Sequence, residues 1–291
     1  MLFPGQGSQF VGMAKAQYDA DSESKALMKK ADDILGFSLT EIMLEGPEEK
    51  LRQTEFTQPA IYLHSLAVFS GAGLKPDMVA GHSLGEFSAL VACGAASFEE
   101  TLRVVRLRGE LMQKAGSDHP GSMAAVIGME DHAVEDICHK ATKETGKEVV
   151  AANYNSPGQV VISGYELAVD KAVEMAKDAG CRMARKLPVS GAFHSTLMQS
   201  AYDGLKDALQ SMSIQKAECP LFSNYTGKPT TDPEEIRSNL LNQLLNPVRW
   251  TQTLQNMQAD GADTFVELCP GKVLQGLVKR TLKDVEISGH N

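Results

Sequence analysis

The residues best placed to do chemistry are Gly81-His82-Ser83-Leu84-Gly85, a G-x-S-x-G pentapeptide. The short apolar run Met78-Val79-Ala80 precedes it, and Phe87, Leu90 and Val91 follow at i, i+3 and i+4. Strand, tight turn and helix together make a nucleophile elbow. The glycines permit a turn sharp enough to lift the Ser83 hydroxyl clear of a sheet. A helix N-terminus at that point aims N–H groups and a partial positive charge at one spot. An oxyanion would form there during acyl transfer. The pattern also recurs by chance, and a serine at this place could simply cap the helix. The flanking strand and helix favour the catalytic role.

A serine nucleophile needs a base, most often histidine. The chain has seven: His64, His82, His119, His132, His139, His194 and His290. His132 and His139 fall on a solvated helix. His82 neighbours Ser83 in the elbow, so its side chain is expected to point away. His64 sits on an apolar helix and reads as a satisfied core residue, and His290 belongs to the tail. Elimination leaves His194, in Phe193-His194-Ser195. No acidic third member stands out, so a backbone carbonyl could orient the imidazole instead.

Two further stretches bear on a serine site. Phe3-Pro4-Gly5-Gln6-Gly7-Ser8-Gln9 is a Gly-rich loop after a very short strand. It has neither a Walker A spacing nor G-x-G-x-x-G, which argues against a phosphate cradle. Such a loop beside an elbow could supply backbone N–H groups and the Gln6 amide, or it could be an ordinary tight turn. The helix Leu102 to Ala115 carries Arg103, Arg106 and Arg108. The planar guanidinium fork grips a carboxylate in two parallel hydrogen bonds. A serine acyltransferase whose substrate has a free carboxylate would need one such residue.

The elements that must hold these residues alternate between helical patterns and short apolar runs. That order predicts an α/β fold with a mostly parallel sheet and helices on its faces. One internal block differs. Strands are expected at Met123 to Gly128, Glu148 to Asn153, Gln159 to Ser163 and Arg182 to Val189. Helices are expected at Asp131 to Lys143 and Glu166 to Ala179, with a turn over Asn155-Ser156-Pro157-Gly158. The resulting β-α-β-β-α-β order is ferredoxin-like. Residues 119–188 are therefore read as an inserted small subdomain. The large domain is then 1–118 joined to 189–291, with Ser83 on the floor of a cleft between the two.

Composition narrows the function classes. The 291 residues suit one large domain with an insertion. A net charge of −9 argues against a nucleic-acid partner. No apolar run approaches the roughly 18 residues that span a bilayer, so no membrane partner is expected. The start, Met1-Leu2-Phe3-Pro4-Gly5, does not read as a signal peptide. Cys93, Cys138, Cys181, Cys219 and Cys269 are odd in number and widely spaced. They read as reduced thiols of a cytoplasmic protein.

Six ordered stretches together resemble the malonyl-CoA:acyl-carrier-protein transacylases of bacterial type II fatty-acid synthesis. They are Pro4 to Gln9, Gly81 to Glu86, Arg106-Leu107-Arg108-Gly109, Asn153 to Gln159, Phe193-His194-Ser195 and Gln243 to Trp250. The resemblance runs essentially end to end. It implies a hydrolase-like large domain, with Ser83 as nucleophile and His194 as base. It implies an oxyanion hole from the Gln6 and Leu84 N–H groups, and Arg108 as partner of the malonyl carboxylate. It also implies that Asn155 borders the cleft and that Gln243 lies in the loop whose backbone orients His194. Phe193 is expected either to press on the malonyl C2 or to be plain core packing. The implied partners are malonyl-CoA, CoA and an acyl carrier protein, with the enzyme acting as a monomer. No metal and no cofactor are implied.

The resemblance has two departures: only Met1 and Leu2 stand before Phe3, where relatives carry several apolar residues, and the C-terminus is brief, ending Ser288-Gly289-His290-Asn291. A clipped central strand would cost stability. Two rival readings share the elbow, a serine thioesterase or hydrolase of acyl thioesters and a non-catalytic carrier-protein docking module. An acyltransferase of polyketide synthesis would share all six stretches. A chain at −9 must meet an acidic carrier through local basic surface. The candidates are Arg182, Arg185 and Lys186, or Lys272, Lys279, Arg280 and Lys283, where Lys279 and Lys283 are expected to share a helix face.

Overall fold

The computed structural model describes residues 1–268 and 270–290, so the expectation for Cys269 lies outside the described residues. The described strands are β1 (Leu2–Phe3), β2 (Val79–Gly81), β3 (Gly121–Ile127), β4 (Val149–Ser156), β5 (Gln159–Tyr165), β6 (Met183–Lys186), β7 (Leu221–Phe222), β8 (Pro229–Thr230), β9 (Thr264–Leu268) and β10 (Glu286–His290). They form two sheets. The first runs β10-β9-β1-β2-β7-β8. It is parallel from β10 to β7, with only β8 antiparallel. The chain therefore has the mostly parallel α/β sheet expected from the alternating pattern.

β1 is short, yet it lies at the centre of this sheet. Leu2 pairs with Ala80 on one side and Glu267 on the other. Its Leu2 and Phe3, with Val79 and Ala80 of β2, are fully buried. A parallel strand covered on both faces must be apolar throughout, which is why these runs do not alternate. The ladder continues past the strand, since His82 N–H donates to the Phe3 carbonyl at 2.9 Å.

The second sheet, order β4-β5-β3-β6, is antiparallel throughout. The helices Asp131–Thr145 and Glu166–Asp178 complete a β-α-β-β-α-β unit. Val134, Ile137, Cys138 and Ala141 of one helix and Ala168, Val169, Ala172 and Ala176 of the other bury against the sheet. The observed bounds differ from the expected ones by one to three residues at most ends. β3 begins at Gly121, and β6 ends at Lys186 instead of reaching Val189. β4 runs on through Asn155 and Ser156, with register irregularities at Ala151/Asn153 and Tyr154/Ser156, so the turn is confined to Pro157-Gly158. These irregularities matter later, because they re-aim the side chains at the end of β4.

The two sheets are tied at one edge. Tyr154 N–H donates to the Val248 carbonyl at 2.9 Å, and Val248 N–H donates to the Ala152 carbonyl at 2.9 Å. The Thr251 hydroxyl adds a bond to the Tyr154 carbonyl at 3.0 Å. The largest core lies on the other side, around the helices Thr54–Ala72 and Phe98–Asp118.

Two sequence expectations need correction. The helix carrying Lys279 spans Val273–Thr281, so Lys283 lies beyond it. Leu282 turns extended (φ −113°, ψ 156°) to bury its side chain, and Asp284 then takes φ 56°. Lys279 and Lys283 therefore do not share a helix face. His64 is buried on the Thr54–Ala72 helix, but neither ring nitrogen has a partner among the described residues. It is a core histidine without the satisfaction expected of one.

Burial lowers the His64 pKa from 6.5 to about 4. The unfolded chain therefore binds one more proton than the folded one between these values. The stability this neutral imidazole contributes is full above about pH 6.5 and is lost as pH falls toward 4. Replacing it with leucine should remove that sensitivity. Urea unfolding at pH 7 and pH 4.5 should show His64→Leu losing about 2 kcal/mol less than the parent on acidification. Equal losses would mean that His64 is not held neutral by the fold.

Candidate active site

The elbow is a backbone under constraint. Ser83, between β2 and the helix Gly85–Ala92, takes φ 51°, in the left-handed region. A serine there costs on the order of 1–2 kcal/mol and persists only if its surroundings impose it. Two glycines make the turn possible. A Cβ on Gly81 would lie 1.8 Å from the Gly85 carbonyl carbon, and one on Gly85 would lie 2.1 Å from the Phe3 carbonyl oxygen. Asn224, just after β7, holds the turn from outside. Its Oδ1 accepts from the Ser83 N–H at 2.6 Å, and its Nδ2 donates to the Gly81 carbonyl at 2.6 Å.

Ser83 and His194 meet. The Oγ lies 2.9 Å from the imidazole Nε2. The other ring nitrogen, Nδ1, lies 2.7 Å from the backbone carbonyl of Gln243. A carbonyl only accepts, so Nδ1 carries the proton and Nε2 presents its lone pair to the serine hydroxyl. Burial holds the His194 pKa down at about 3; the Gln243 carbonyl pulls it upward, while Arg108 and His82 push it lower. The imidazole is thus a neutral acceptor across the physiological range. His194, like Ser83, has a left-handed backbone, φ 57°.

Arg108 reaches the same hydroxyl from the helix Phe98–Asp118. Its Nη2 donates to Ser83 Oγ at 3.1 Å and to Gln243 Oε1 at 3.0 Å, and its Nη1 donates to Gln58 Oε1 at 2.8 Å. The guanidinium lies 5.5 Å from the Phe87 ring centroid and is 1% exposed. Burial lowers its pKa to about 10, against the pull of Glu86, so it stays charged. No carboxylate lies within ion-pair distance of it among the described residues. Within ion-pair distance, neutral oxygens alone hold this buried cation beside the Ser83 hydroxyl. The neighbouring arginines do other work: Arg106 pairs with Glu55 and Glu110, and Arg103 donates to the Glu99 carbonyl.

A cavity of about 170 Å³ opens onto this group. Gln6, Leu84, Asn155, Phe193 and His82 all line it together with Ser83, His194 and Arg108. The backbone N–H groups of Gln6 and Leu84 have no hydrogen-bond acceptor among the described residues. The Gly-rich loop is pressed against the elbow, since a Cβ on Gly5 would sit 2.4 Å from the His82 carbonyl oxygen. His82 makes no hydrogen bond to the Ser83 hydroxyl. Its Nε2 bonds Asn155 Oδ1 at 2.8 Å, and its ring packs against Trp250. Asn155 thus comes to the cleft from the end of β4, beyond the register irregularity.

Several residues of this site carried no functional reading in the sequence. Gln58 positions Arg108 and donates its amide to Met112 Sδ at 3.3 Å. Glu86 and Asn224 hold the elbow and its neighbours, and Asn153 and Val161 line the cavity wall. A glutamine just before the stretch Ala60 to Leu66 and a glutamate directly after the elbow were the only signals. Nothing marked Asn224. No group of three or more His, Cys, Asp or Glu among the described residues is disposed to hold a metal.

The acyl transferase domain model matches residues 1–289. The chain is 44% identical to the malonyl CoA-acyl carrier protein transacylase of Bacillus subtilis over 99% of its own length and 92% of that protein's. Among solved structures it is similar to the malonyl CoA-acyl carrier protein transacylase of Coxiella burnetii, with TM-score 0.96, 38% identity, and coverage of 100% of this chain and 92% of that one. A malonyl-transacylase solved in complex with a type II polyketide acyl-carrier protein also has TM-score 0.96, at 38% identity, covering 100% of this chain and 95% of that one.

The left-handed elbow yields a test of its own. Ser83→Ala and Ser83→Gly both remove the hydroxyl, but only glycine adopts φ 51° without strain. Ser83→Gly should unfold in urea with a stability about 1 kcal/mol above that of Ser83→Ala. A glycine variant no more stable than the alanine variant would mean that the elbow is unstrained.

Proposed function

The chain belongs to the acyl transferase domain family, and we propose that it transfers the malonyl group of malonyl-CoA to the phosphopantetheine thiol of an acyl carrier protein. The observation that carries this reading is the buried Arg108 guanidinium with no carboxylate within ion-pair distance of it among the described residues. A desolvated cation held by neutral oxygens is a site for an anion. Of the acyl thioesters a serine acyltransferase could accept, malonyl-CoA ends in the carboxylate that fits. A plain thioesterase has no use for such a cation, and a docking module has none for a Ser83–His194 pair at 2.9 Å.

The reaction runs in two halves. The malonyl carboxylate pairs with Arg108. Ser83 Oγ attacks the thioester carbonyl carbon as its proton passes to His194 Nε2. The N–H groups of Gln6 and Leu84 hold the oxyanion of the tetrahedral intermediate. The C–S bond then breaks, and the proton on Nε2 goes to the departing CoA sulfur. Malonyl-serine remains. In the second half the carrier thiol gives its proton to Nε2 and attacks the ester carbonyl, and Ser83 recovers its hydrogen. The Gln243 carbonyl steadies the imidazolium each time, in place of a carboxylate. Asn155 and Phe193 bound the acyl pocket. No electron changes hands, so the chemistry calls for no redox cofactor. The small subdomain, about residues 119–188, forms the cleft's second wall.

The product feeds fatty-acid biosynthesis. The four described cysteines are free thiols, which fits a reducing cytoplasm. No described helix is long and apolar enough to cross a membrane.

Loading and selectivity test this together. Intact-mass analysis after mixing with malonyl-CoA should show one added malonyl group, absent in Ser83→Ala. Arg108→Ala should lose malonyl loading far more than acetyl loading. Breaking a buried charge pair costs roughly 2–5 kcal/mol, or about 30- to several-thousand-fold. Loading of Ser83→Ala, or equal losses of both acyl groups, would overturn the scheme.

For the carrier we propose the C-terminal basic surface. Lys186 of the other cluster is already paired with Glu166 and Asp170. Lys272 and Lys279 border a groove with Leu282 and Ile287, next to the exposed Val273, and make no ion pair among the described residues. Lys272→Glu with Lys279→Glu should raise KM for carrier protein and leave transfer to free pantetheine unchanged. An unchanged KM for carrier would remove this surface from docking.

A further inference from the structure

His194 has no carboxylate at its ring, yet one carboxyl is buried in the wall of the site. Glu86 stands in the first turn of the elbow helix, three residues after the nucleophile, and is 0% exposed. Its Oε2 accepts from Gln243 Nε2 at 2.8 Å and from the Asn224 N–H at 3.1 Å. Its Oε1 has no hydrogen-bond partner among the described residues. Each bond ends on a residue that holds a reacting part. Asn224 carries the Ser83 N–H. Gln243 carries His194 on its carbonyl and Arg108 on its side-chain oxygen.

We propose that Glu86 is the positioning residue of the transfer, fixing through Gln243 both the base and the cation that receives the substrate carboxylate. This rests on the roles given above to Ser83, His194 and Arg108. The Gln243 amide has an oxygen and an NH₂ of nearly equal shape, so its neighbours decide which way it faces. Arg108 can only donate, so it must meet the oxygen. The NH₂ then needs an acceptor on its far side, and Glu86 provides it. Burial pushes the Glu86 carboxyl up to about 8, so at neutral pH its proton rests on the unpartnered Oε1 and Oε2 still accepts the Gln243 and Asn224 N–H groups. Without that acceptor the amide can turn its NH₂ toward the guanidinium, where two donors face each other. Residue 243 must then shift, and its carbonyl shifts with it, away from His194 Nδ1.

The single residue therefore links two functions that a sequence reading keeps separate. A glutamine at 86 can still accept both N–H groups through its oxygen. It also sets an NH₂ where Oε1 now has no partner, close to the cation. An alanine leaves the buried Asn224 N–H without an acceptor and the Gln243 amide with the Ser83 carbonyl alone, at 3.4 Å.

The test is acyl loading by Glu86→Gln and Glu86→Ala, with each rate divided by the number of sites that malonylate in an intact-mass titration. A role confined to packing would lower the number of active sites alone. Positioning should lower kcat per active site and the malonyl-over-acetyl preference together. The expected drop is about tenfold for Glu86→Gln, and on the order of 10²-fold for Glu86→Ala, the size expected when a reacting group is displaced by about 1 Å. The double variant Glu86→Gln with Gln243→Glu reverses donor and acceptor. It should recover kcat while raising KM for malonyl-CoA, because Arg108 then faces a carboxylate of the protein. Should Glu86→Ala not fold, Glu86→Gln and the double variant carry the test. A Glu86→Gln enzyme within about twofold of the parent in kcat per site and in preference would overturn the proposal. Ser83→Ala that still loads malonyl would instead overturn the reading of the nucleophile on which it rests.

Discussion

A guanidinium sealed from water beside the Ser83 hydroxyl is the constraint from which the rest of this site follows. Desolvating an ion costs several kcal/mol even after relaxation. Arg108 keeps its charge because three oxygens from distant parts of the chain surround it, those of Gln58, Gln243 and Ser83. None of them cancels the charge. Each of these oxygens must in turn be fixed by its own partners, or the cation would be poorly solvated by the protein. Gln58 is steadied by Met112 and Gln243 by Glu86. The need to host one buried cation thus prescribes the polar residues of a wall that is otherwise apolar.

The same economy governs the backbone. Two non-glycine residues in left-handed conformation, Ser83 and His194, face each other across 2.9 Å. Both conformations aim a side chain that an ordinary strand or helix would send elsewhere. Strain of this kind survives where hydrogen bonds over-determine the position. Asn224 does this for Ser83 with two short bonds, and the Gln243 carbonyl does it for the imidazole of His194. A carbonyl is a weaker stabiliser of imidazolium than a carboxylate. It adds no negative charge at the ring of His194, which suits the malonyl transfer proposed for this chain.

The cleft itself is a product of how the two sheets are joined. The end of β4 is stitched to Val248 and Thr251, and Asn155 ties it to His82 of the elbow. The irregularities in β4 bring Asn155 round to His82, so the bond between them spans the two parts of the molecule. His82 is thereby occupied and cannot compete with His194 for the serine. A residue excluded as the base has a definite part in closing the site.

Much of this was legible in the sequence, and physics separates what was from what was not. The elbow was legible because strand, turn and helix are local, and the glycines that permit the turn lie within five residues of one another. The β-α-β-β-α-β order was legible for the same reason, to within a few residues at the ends. His194 could be reached by elimination, and the resemblance supplied Arg108. What depended on convergence of distant segments was not legible. Glu86 and Asn224 are 138 residues apart, and Arg108 and Gln243 are 135 apart, so no spacing encodes their bonds. The isolation of His64 and the separation of Lys283 from Lys279 were likewise invisible. The first depends on what packs round an apolar helix, the second on Leu282 leaving the helix to bury itself. The sequence by itself determined which residues could do the chemistry and what local backbone would present them. Only the tertiary structure decided which polar groups meet in the dark of the core. Hydrogen-bond pairing there is chosen by the packing of the whole chain, while local backbone conformation is chosen by near neighbours.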